Sequence, residues 1–139
     1  MNSLKLSFIA LPIFIVLDLL WIGAIANLFY AGELASFVRR TGDTIAPNWW
    51  GTAIGYICMT IGVVFFVAPK FVEREVGWSA FLWGALMGLV VYGVYEFTNY
   101  GLLVNWPIRV VIVDVLWGMV IYGITSFATV WLGRRFNML

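Results

Sequence analysis

Long apolar runs separated by short polar segments dominate the chain. The runs lie at about Leu6 to Leu28, Asn48 to Ala68, Trp78 to Tyr100 and Trp106 to Leu132. A helix of about 20 residues crosses the hydrocarbon core of a bilayer, and within lipid a helix satisfies its own backbone hydrogen bonds. The pattern therefore predicts an all-α integral membrane protein, a four-helix transmembrane bundle that forms a single transmembrane domain over residues 1–139.

The segment from Phe29 to Pro47, between the first and second runs, is too polar to cross a bilayer. Within it, apolar side chains recur at helical spacing opposite charged side chains. The apolar set is Leu34, Phe37 and Val38, and the charged set is Glu33, Arg39 and Arg40. This spacing predicts a short amphipathic helix that lies at the membrane interface.

Composition agrees with a membrane protein and narrows its chemistry. Hydrophobic residues make up 63% of the chain and charged residues 11%, whereas a soluble domain has about 25% charged residues. The net charge of +1 argues against a nucleic-acid partner, which requires a clustered basic surface. The chain has no histidine and only one cysteine, Cys58. We therefore predict no metal site, no thiol redox chemistry and no cofactor.

The start of the chain also imitates a secretory signal peptide. Lys5, the apolar run and the small-residue pattern from Ala24 to Ala26 are all typical of such a peptide. Asp18 and Trp21 interrupt the apolar region, however, and this favours a retained first helix.

The basic residues of the loops predict the orientation of the bundle, because cytoplasmic loops are enriched in lysine and arginine. One side carries Lys5, Lys70, Arg74, Arg134 and Arg135, and the loops of the other carry Arg39 and Arg40. We expect both termini to be cytoplasmic.

Three acidic residues, Asp18, Glu96 and Asp114, lie inside the predicted spans. A charged side chain in hydrocarbon costs at least ~2.5–3.5 kcal/mol, so such residues usually mark a functional site or a buried pair. Counted from the helix ends at ~1.5 Å per residue, all three fall in the half of the membrane opposite the termini.

Other polar and aromatic residues accompany these acids. Tyr92 and Asn99 share a helical face with Glu96, and Trp21 and Trp117 each follow an aspartate by one turn. Arg109 is positioned to pair with Glu96 across the turn between the last two spans. The candidate binding residues are Asp18, Trp21, Tyr92, Glu96, Asn99, Arg109, Asp114 and Trp117. The alternative is that the acids are structural, as hydrogen-bonded links between helices.

Two pairs of glycines at four-residue spacing predict close helix packing. Gly51 and Gly55 form one pair, and Gly84 and Gly88 form the other. Small residues at this spacing let two helix backbones approach each other in lipid. The pairs therefore serve packing within one chain or the interface of a homodimer.

Several of these motifs resemble those of a known family. They are Leu17 to Gly23, Phe29-Tyr30, Pro69, Tyr92 to Asn99, Trp106-Pro107 and Val113 to Gly118. Together they are similar to the pattern of the domain of unknown function 2177 (DUF2177), a group of small bacterial multi-pass membrane proteins. Glu96 stands where that pattern more often has aspartate. The resemblance implies a four-helix protein of the bacterial inner membrane and no specific activity.

Three functions remain open on this sequence. The first is a small transporter or binder of a cation, an amine or a proton that uses the intramembrane carboxylates. The second is an accessory subunit of a larger membrane complex, and the third is a protein that binds a lipid or a quinone. An enzyme is less favoured, because the chain lacks the nucleophile, metal or tuned base that a catalytic site needs.

Overall fold

The computed structural model describes residues 1–41 and 44–139, and its helices account for most of the chain. In chain order the elements are α1 (Ser3–Leu20), a π-helical turn (Trp21–Ile25), α2 (Asn27–Glu33), β1 (Arg40–Thr41), β2 (Thr44–Ile45), α3 (Trp49–Ile61), a π-helical segment (Gly62–Val67), a 3₁₀ turn (Ala68–Phe71), α4 (Trp78–Leu102) and α5 (Ile108–Arg135). One end of the bundle carries α2, the β1–β2 pair and the α4–α5 turn. We call it the α2 end, and the opposite end carries both termini.

The four predicted spans are confirmed. The helices long and apolar enough to cross a membrane cover Ser3–Ile25, Trp49–Phe71, Trp78–Leu102 and Ile108–Arg135. Side-chain caps explain two of the boundaries. Asn2 accepts a hydrogen bond from the Lys5 backbone N–H at 3.1 Å, and Asn48 accepts one from that of Trp50 at 3.1 Å.

The closest pair of helices in the bundle is α4 and α5. A methyl group added to Gly88 would lie 2.0 Å from the Gly118 carbonyl oxygen, and one added to Gly84 would lie 2.4 Å from that of Tyr122. Both distances are far inside van der Waals contact, so only glycine fits. The predicted packing role of Gly84 and Gly88 is therefore intramolecular.

The other glycine pair faces away from the bundle. A methyl group on Gly51 or Gly55 would meet nothing within 4 Å. Since no neighbour in the described chain uses this stripe, a homodimer interface on α3 stays a prediction.

The apolar core lies mainly in the half of the bundle near the termini. Phe14, Phe71 and Tyr122 are its largest fully buried aromatic side chains, and Phe14 packs edge-on against Tyr122 at 5.0 Å between ring centroids. Arg134 closes this end of the bundle by donating hydrogen bonds to the backbone carbonyls of Phe71, Val72 and Arg74.

The short helix between the first two spans is present, but it begins earlier than the apolar spacing suggests. It covers Asn27–Glu33, and the residues after it form turns that lead into the antiparallel β1–β2 pair. Leu34 packs against a buried cluster that includes Trp106, and Phe37 stacks edge-on against Trp106 at 5.1 Å. The apolar side chains after Glu33 therefore cover the bundle, but they project from turns and not from a helix.

Candidate functional site

Asp18 is held by two helices that are distant from it in the chain. Its Oδ2 accepts a hydrogen bond from the Tyr56 hydroxyl on α3 at 2.8 Å, and its Oδ1 accepts one from the Trp117 indole N–H on α5 at 3.1 Å. An ionised carboxylate has about four acceptor sites. The half-buried Asp18 therefore keeps acceptor capacity for a further donor.

Asp114 is tied to the short helix α2. The Tyr30 hydroxyl donates a short hydrogen bond to Asp114 Oδ1, and the Trp21 indole N–H donates to the Tyr30 oxygen at 3.0 Å. Burial, and then the neighbouring Asp114 carboxyl, raise the pKa of the Tyr30 hydroxyl above its usual range. Tyr30 therefore stays protonated at neutral pH and serves as a donor.

Neither tryptophan donates to the aspartate that precedes it on its own helix. Each indole lies one turn after an aspartate, yet Trp117 donates to Asp18 on the other helix and Trp21 donates to Tyr30. The rings of Trp21 and Trp117 stack 4.5 Å apart and are inclined by only 8°. This stack brings Asp18 of α1 and Asp114 of α5 into one aromatic and acidic site.

Glu96 does not pair with Arg109, contrary to the sequence-based expectation. Glu96 is fully buried, and its Oε2 accepts a hydrogen bond from the Trp106 indole at 2.9 Å. Arg109 is exposed and lies 3.7 Å from Glu33 of α2. Trp106 itself is buried, in a cluster with Ala26, Tyr30, Val110 and Val111.

The second oxygen of Glu96, Oε1, is buried and has no hydrogen-bond partner among the described residues. An acceptor buried without a donor costs about 1–3 kcal/mol. The bond from Trp106 to the other oxygen, Oε2, is therefore the hydrogen bond that stabilises this carboxyl among the described residues.

A cavity of about 240 Å³ lies between the two aspartates. Its lining is aromatic and acidic, with aliphatic side chains at the edges: Asp18, Trp21, Ile22, Tyr30, Leu34, Val38, Tyr92, Asp114 and Trp117. A larger groove of about 770 Å³ runs between α1 and α3, and Asp18 and Ile22 line both spaces. Asp18 therefore stands where the cavity meets the groove.

The cavity separates the sequence-predicted residues into two groups. Asp18, Trp21, Tyr92, Asp114 and Trp117 line it. The other three do not: Glu96 is buried behind Asp114, Asn99 is half-buried on α4, and Arg109 is on the surface.

Sequence reasoning missed two residues, Tyr30 and Tyr56. Tyr56 is eight residues into the second predicted span, or ~12 Å along it. Asp18 is ten residues from the end of the first predicted span, at a similar depth of ~15 Å. Matching polar residues by depth would have found Tyr56. Tyr30 reaches Asp114 only because the chain turns back after the π-helical turn, and no sequence spacing shows that turn.

The carboxyls of this site have no cationic partner in the chain as far as the structure describes it. Arg109 and Glu33 make the ion pair that the described residues show, and it lies outside the cavity. No group of three or more histidine, cysteine or acidic side chains among these residues is arranged to hold a metal ion. Burying acids without a cation is costly, and the hydrogen bonds from Tyr56, Trp117 and Tyr30 offset part of that cost.

Comparison with known proteins identifies a family. The profile of a family described as "Predicted membrane protein (DUF2177)" matches residues 3–131, nearly the whole chain. No curated protein and no solved structure matches the chain. The match confirms the resemblance of the motifs around the three acids, and its extent includes every residue that lines the cavity. The chain therefore belongs to the DUF2177 family of predicted membrane proteins.

Proposed function

We propose that this protein binds a small organic ammonium ion in the cavity between Asp18 and Asp114. The observation that carries the proposal is the composition of the cavity wall, with two carboxyls, two tyrosines and two tryptophans around about 240 Å³. That volume lies below the ~300–1,000 Å³ of pockets for drug-sized ligands. It suits a head group or a small amine.

Charge and aromatic surface both favour an ammonium ligand. Cations bind over the faces of tryptophan and tyrosine rings, and aromatic cages recognise substituted ammonium groups. Hydrogen bonds from Tyr56, Trp117 and Tyr30 fix the two aspartates, so little side-chain freedom remains to be lost when a ligand binds. A metal ion would bind the carboxylate oxygens and would gain little from the aromatic walls.

The packed interior between the cavity and the termini favours a binding site over a continuous passage for a solute. Phe14 lies one helical turn from Asp18 toward the termini, is fully buried, and packs against Tyr122. Val63 and Val64 belong to the same core cluster and are also fully buried. In this conformation the packed core lies between the cavity and the termini, and this favours a binding site over a passage through the bundle.

Ligand-induced stabilisation in lipid nanodiscs tests this proposal. Butylammonium should raise the unfolding temperature of the parent protein, because a ligand that binds only the folded state stabilises it. Butanol, which has a similar shape and no charge, should not. Asp114→Asn should reduce the butylammonium effect, and Glu73→Gln, which changes an exposed acid far from the cavity, should leave it intact.

Equal stabilisation by butylammonium and butanol, or an unchanged effect in a folded Asp114→Asn variant, would contradict the proposal. Equal effects of Asp114→Asn and Glu73→Gln would indicate that the ammonium ion acts through general surface charge.

We further propose that the chain lies in a bacterial inner membrane with both termini in the cytoplasm. Basic residues support this orientation, because five of them, at positions 5, 70, 74, 134 and 135, lie near the ends of the spans on the side of the termini. Arg39, Arg40 and Arg109 lie toward the α2 end. The cavity would then face the outer half of the bilayer.

A further inference from the structure

The groove between α1 and α3 is larger than the cavity between the two aspartates. It has a volume of about 770 Å³, within the range of roughly 300–1,000 Å³ typical of small-molecule sites. Leu11, Ile15 and Leu19 of α1 form one wall, and Ala53 and Ile57 of α3 form part of the other. An occupant would therefore lie along the two helices.

Polarity changes along the length of this groove. Leu11 and Asp18 are seven residues apart, or ~10 Å along α1, and the part of the groove between them is apolar. Asn27 and Thr52 line the groove toward the α2 end. An occupant with a polar head at Asp18 can therefore extend an apolar tail toward the middle of the bundle.

The groove is also accessible from the side of the bundle. Leu19 is 56% exposed and Ile57 is 52% exposed, although both line it. In a bilayer these side chains border lipid, so a membrane-dissolved molecule can enter laterally. A purely water-soluble amine would leave this space to lipid chains.

We propose that the ligand is a single-chain lipophilic ammonium, with its head in the cavity between Asp18 and Asp114 and its tail in the α1–α3 groove. This inference rests on the proposed function and adds the tail to it. Charge complementarity selects this occupant, because Asp18 lines both spaces and no described lysine or arginine neutralises it. A neutral lipid or a quinone would leave that carboxyl without a countercharge.

A variant that fills the groove and leaves the cavity unchanged distinguishes binding of the tail from binding of the head group. Leu11→Trp places a large side chain in the part of the groove that lies ~10 Å from Asp18. Leu20→Trp is the matched control, because Leu20 is 54% exposed and lines neither the groove nor the cavity. The probes are butylammonium, dodecylammonium and dodecanol, titrated into nanodisc-embedded protein. Each variant is compared with the parent in the same lipid, so partitioning of a probe into the bilayer cancels.

Leu11→Trp should weaken dodecylammonium binding by about tenfold, within the range expected for overfilling a packed site. Butylammonium binding should change by less than about twofold, because its short chain does not reach the filled part of the groove. Leu20→Trp should change neither. Dodecanol should bind the parent more weakly than dodecylammonium by about tenfold or more, since it lacks the charge.

The tail assignment is wrong if Leu11→Trp leaves dodecylammonium binding unchanged or weakens both ammonium probes equally. Tight, groove-dependent binding of dodecanol would assign the groove to a neutral lipid. Ile15→Trp fills the groove between Leu11 and Asp18 and replaces Leu11→Trp if that variant does not fold. Absence of butylammonium binding to the parent would instead overturn the proposed function itself.

Discussion

At the scale of single residues, the hydrogen bonds around the acids join helices that are distant in the chain. Tyr56 and Trp117 reach Asp18 across 38 and 99 residues, and Tyr30 reaches Asp114 across 84. Each bond satisfies a carboxyl that hydrocarbon would otherwise penalise. The same bonds hold the cavity walls in place, so structural and binding roles fall on the same side chains.

Replacing Trp117 tests the bond to Asp18. Trp117→Phe keeps an aromatic ring against Trp21 and removes the indole N–H that donates to Asp18. We expect a loss of about 1 kcal/mol in the free energy of unfolding, the usual size of a side-chain hydrogen bond between membrane helices. Reversible unfolding in lipid or mild detergent measures it. Trp131→Phe, at an exposed position, is the control, and equal losses in the two variants would refute a specific bond.

A second comparison identifies the partner of Glu96. Trp106→Phe removes the donor to its carboxyl and should cost about 1–3 kcal/mol of stability, because a buried acceptor is left unsatisfied. Arg109→Gln removes an exposed ion pair and should cost less than about 1 kcal/mol. The same unfolding measurement ranks them. The opposite order would restore the sequence-based pairing of Glu96 with Arg109.

At the scale of the helices, glycine positions decide which surfaces meet. The two glycine pairs have the same spacing, yet Gly84 and Gly88 lie against α5, while a methyl group on Gly51 or Gly55 would meet no described residue within 4 Å. The sequence spacing shows that both stripes can pack closely, but it does not show which of them has a neighbour. Whether a stripe faces a neighbour depends on the rotation of its helix about its axis. Contacts between distant residues, such as Tyr56 with Asp18, determine that rotation.

A methyl group distinguishes the two stripes. Gly88→Ala should destabilise the bundle by about 1–3 kcal/mol, because the added carbon would lie 2.0 Å from the Gly118 carbonyl oxygen and force α4 and α5 apart. Gly55→Ala should be neutral or stabilise the protein by up to about 1 kcal/mol through helix propensity. Unfolding free energies measure both. A large loss in Gly55→Ala would reveal a partner on the exposed face of α3.

At the scale of the whole molecule, hydropathy was sufficient to predict the four spans and to place their boundaries within a few residues. It was sufficient because lipid forces every crossing segment to be a long apolar helix. The depth of the acids followed from counting residues. The return of α2 over the bundle did not, because the chain bends at Ala26, between the π-helical turn and α2. Tyr30 was missed for this reason.

Orientation is a property of the whole chain, and labelling tests it. In a Cys58→Ser background, Glu75→Cys and Val104→Cys place single thiols at opposite ends of the bundle, both at exposed positions. In spheroplasts, a membrane-impermeant maleimide should label Val104→Cys readily and Glu75→Cys only after permeabilisation. The reverse pattern would place the termini outside and the cavity in the cytoplasmic half.

The central claim is that the acids and aromatic rings at the α2 end form a cation site. Its most direct test is the dissociation constant of butylammonium for the parent protein and for Asp18→Asn in the same nanodiscs, by isothermal titration calorimetry. We predict saturable binding to the parent and a dissociation constant about tenfold higher or more for a folded Asp18→Asn variant, which lacks the charge. No saturable binding to the parent, or equal constants for the two proteins, would contradict the account.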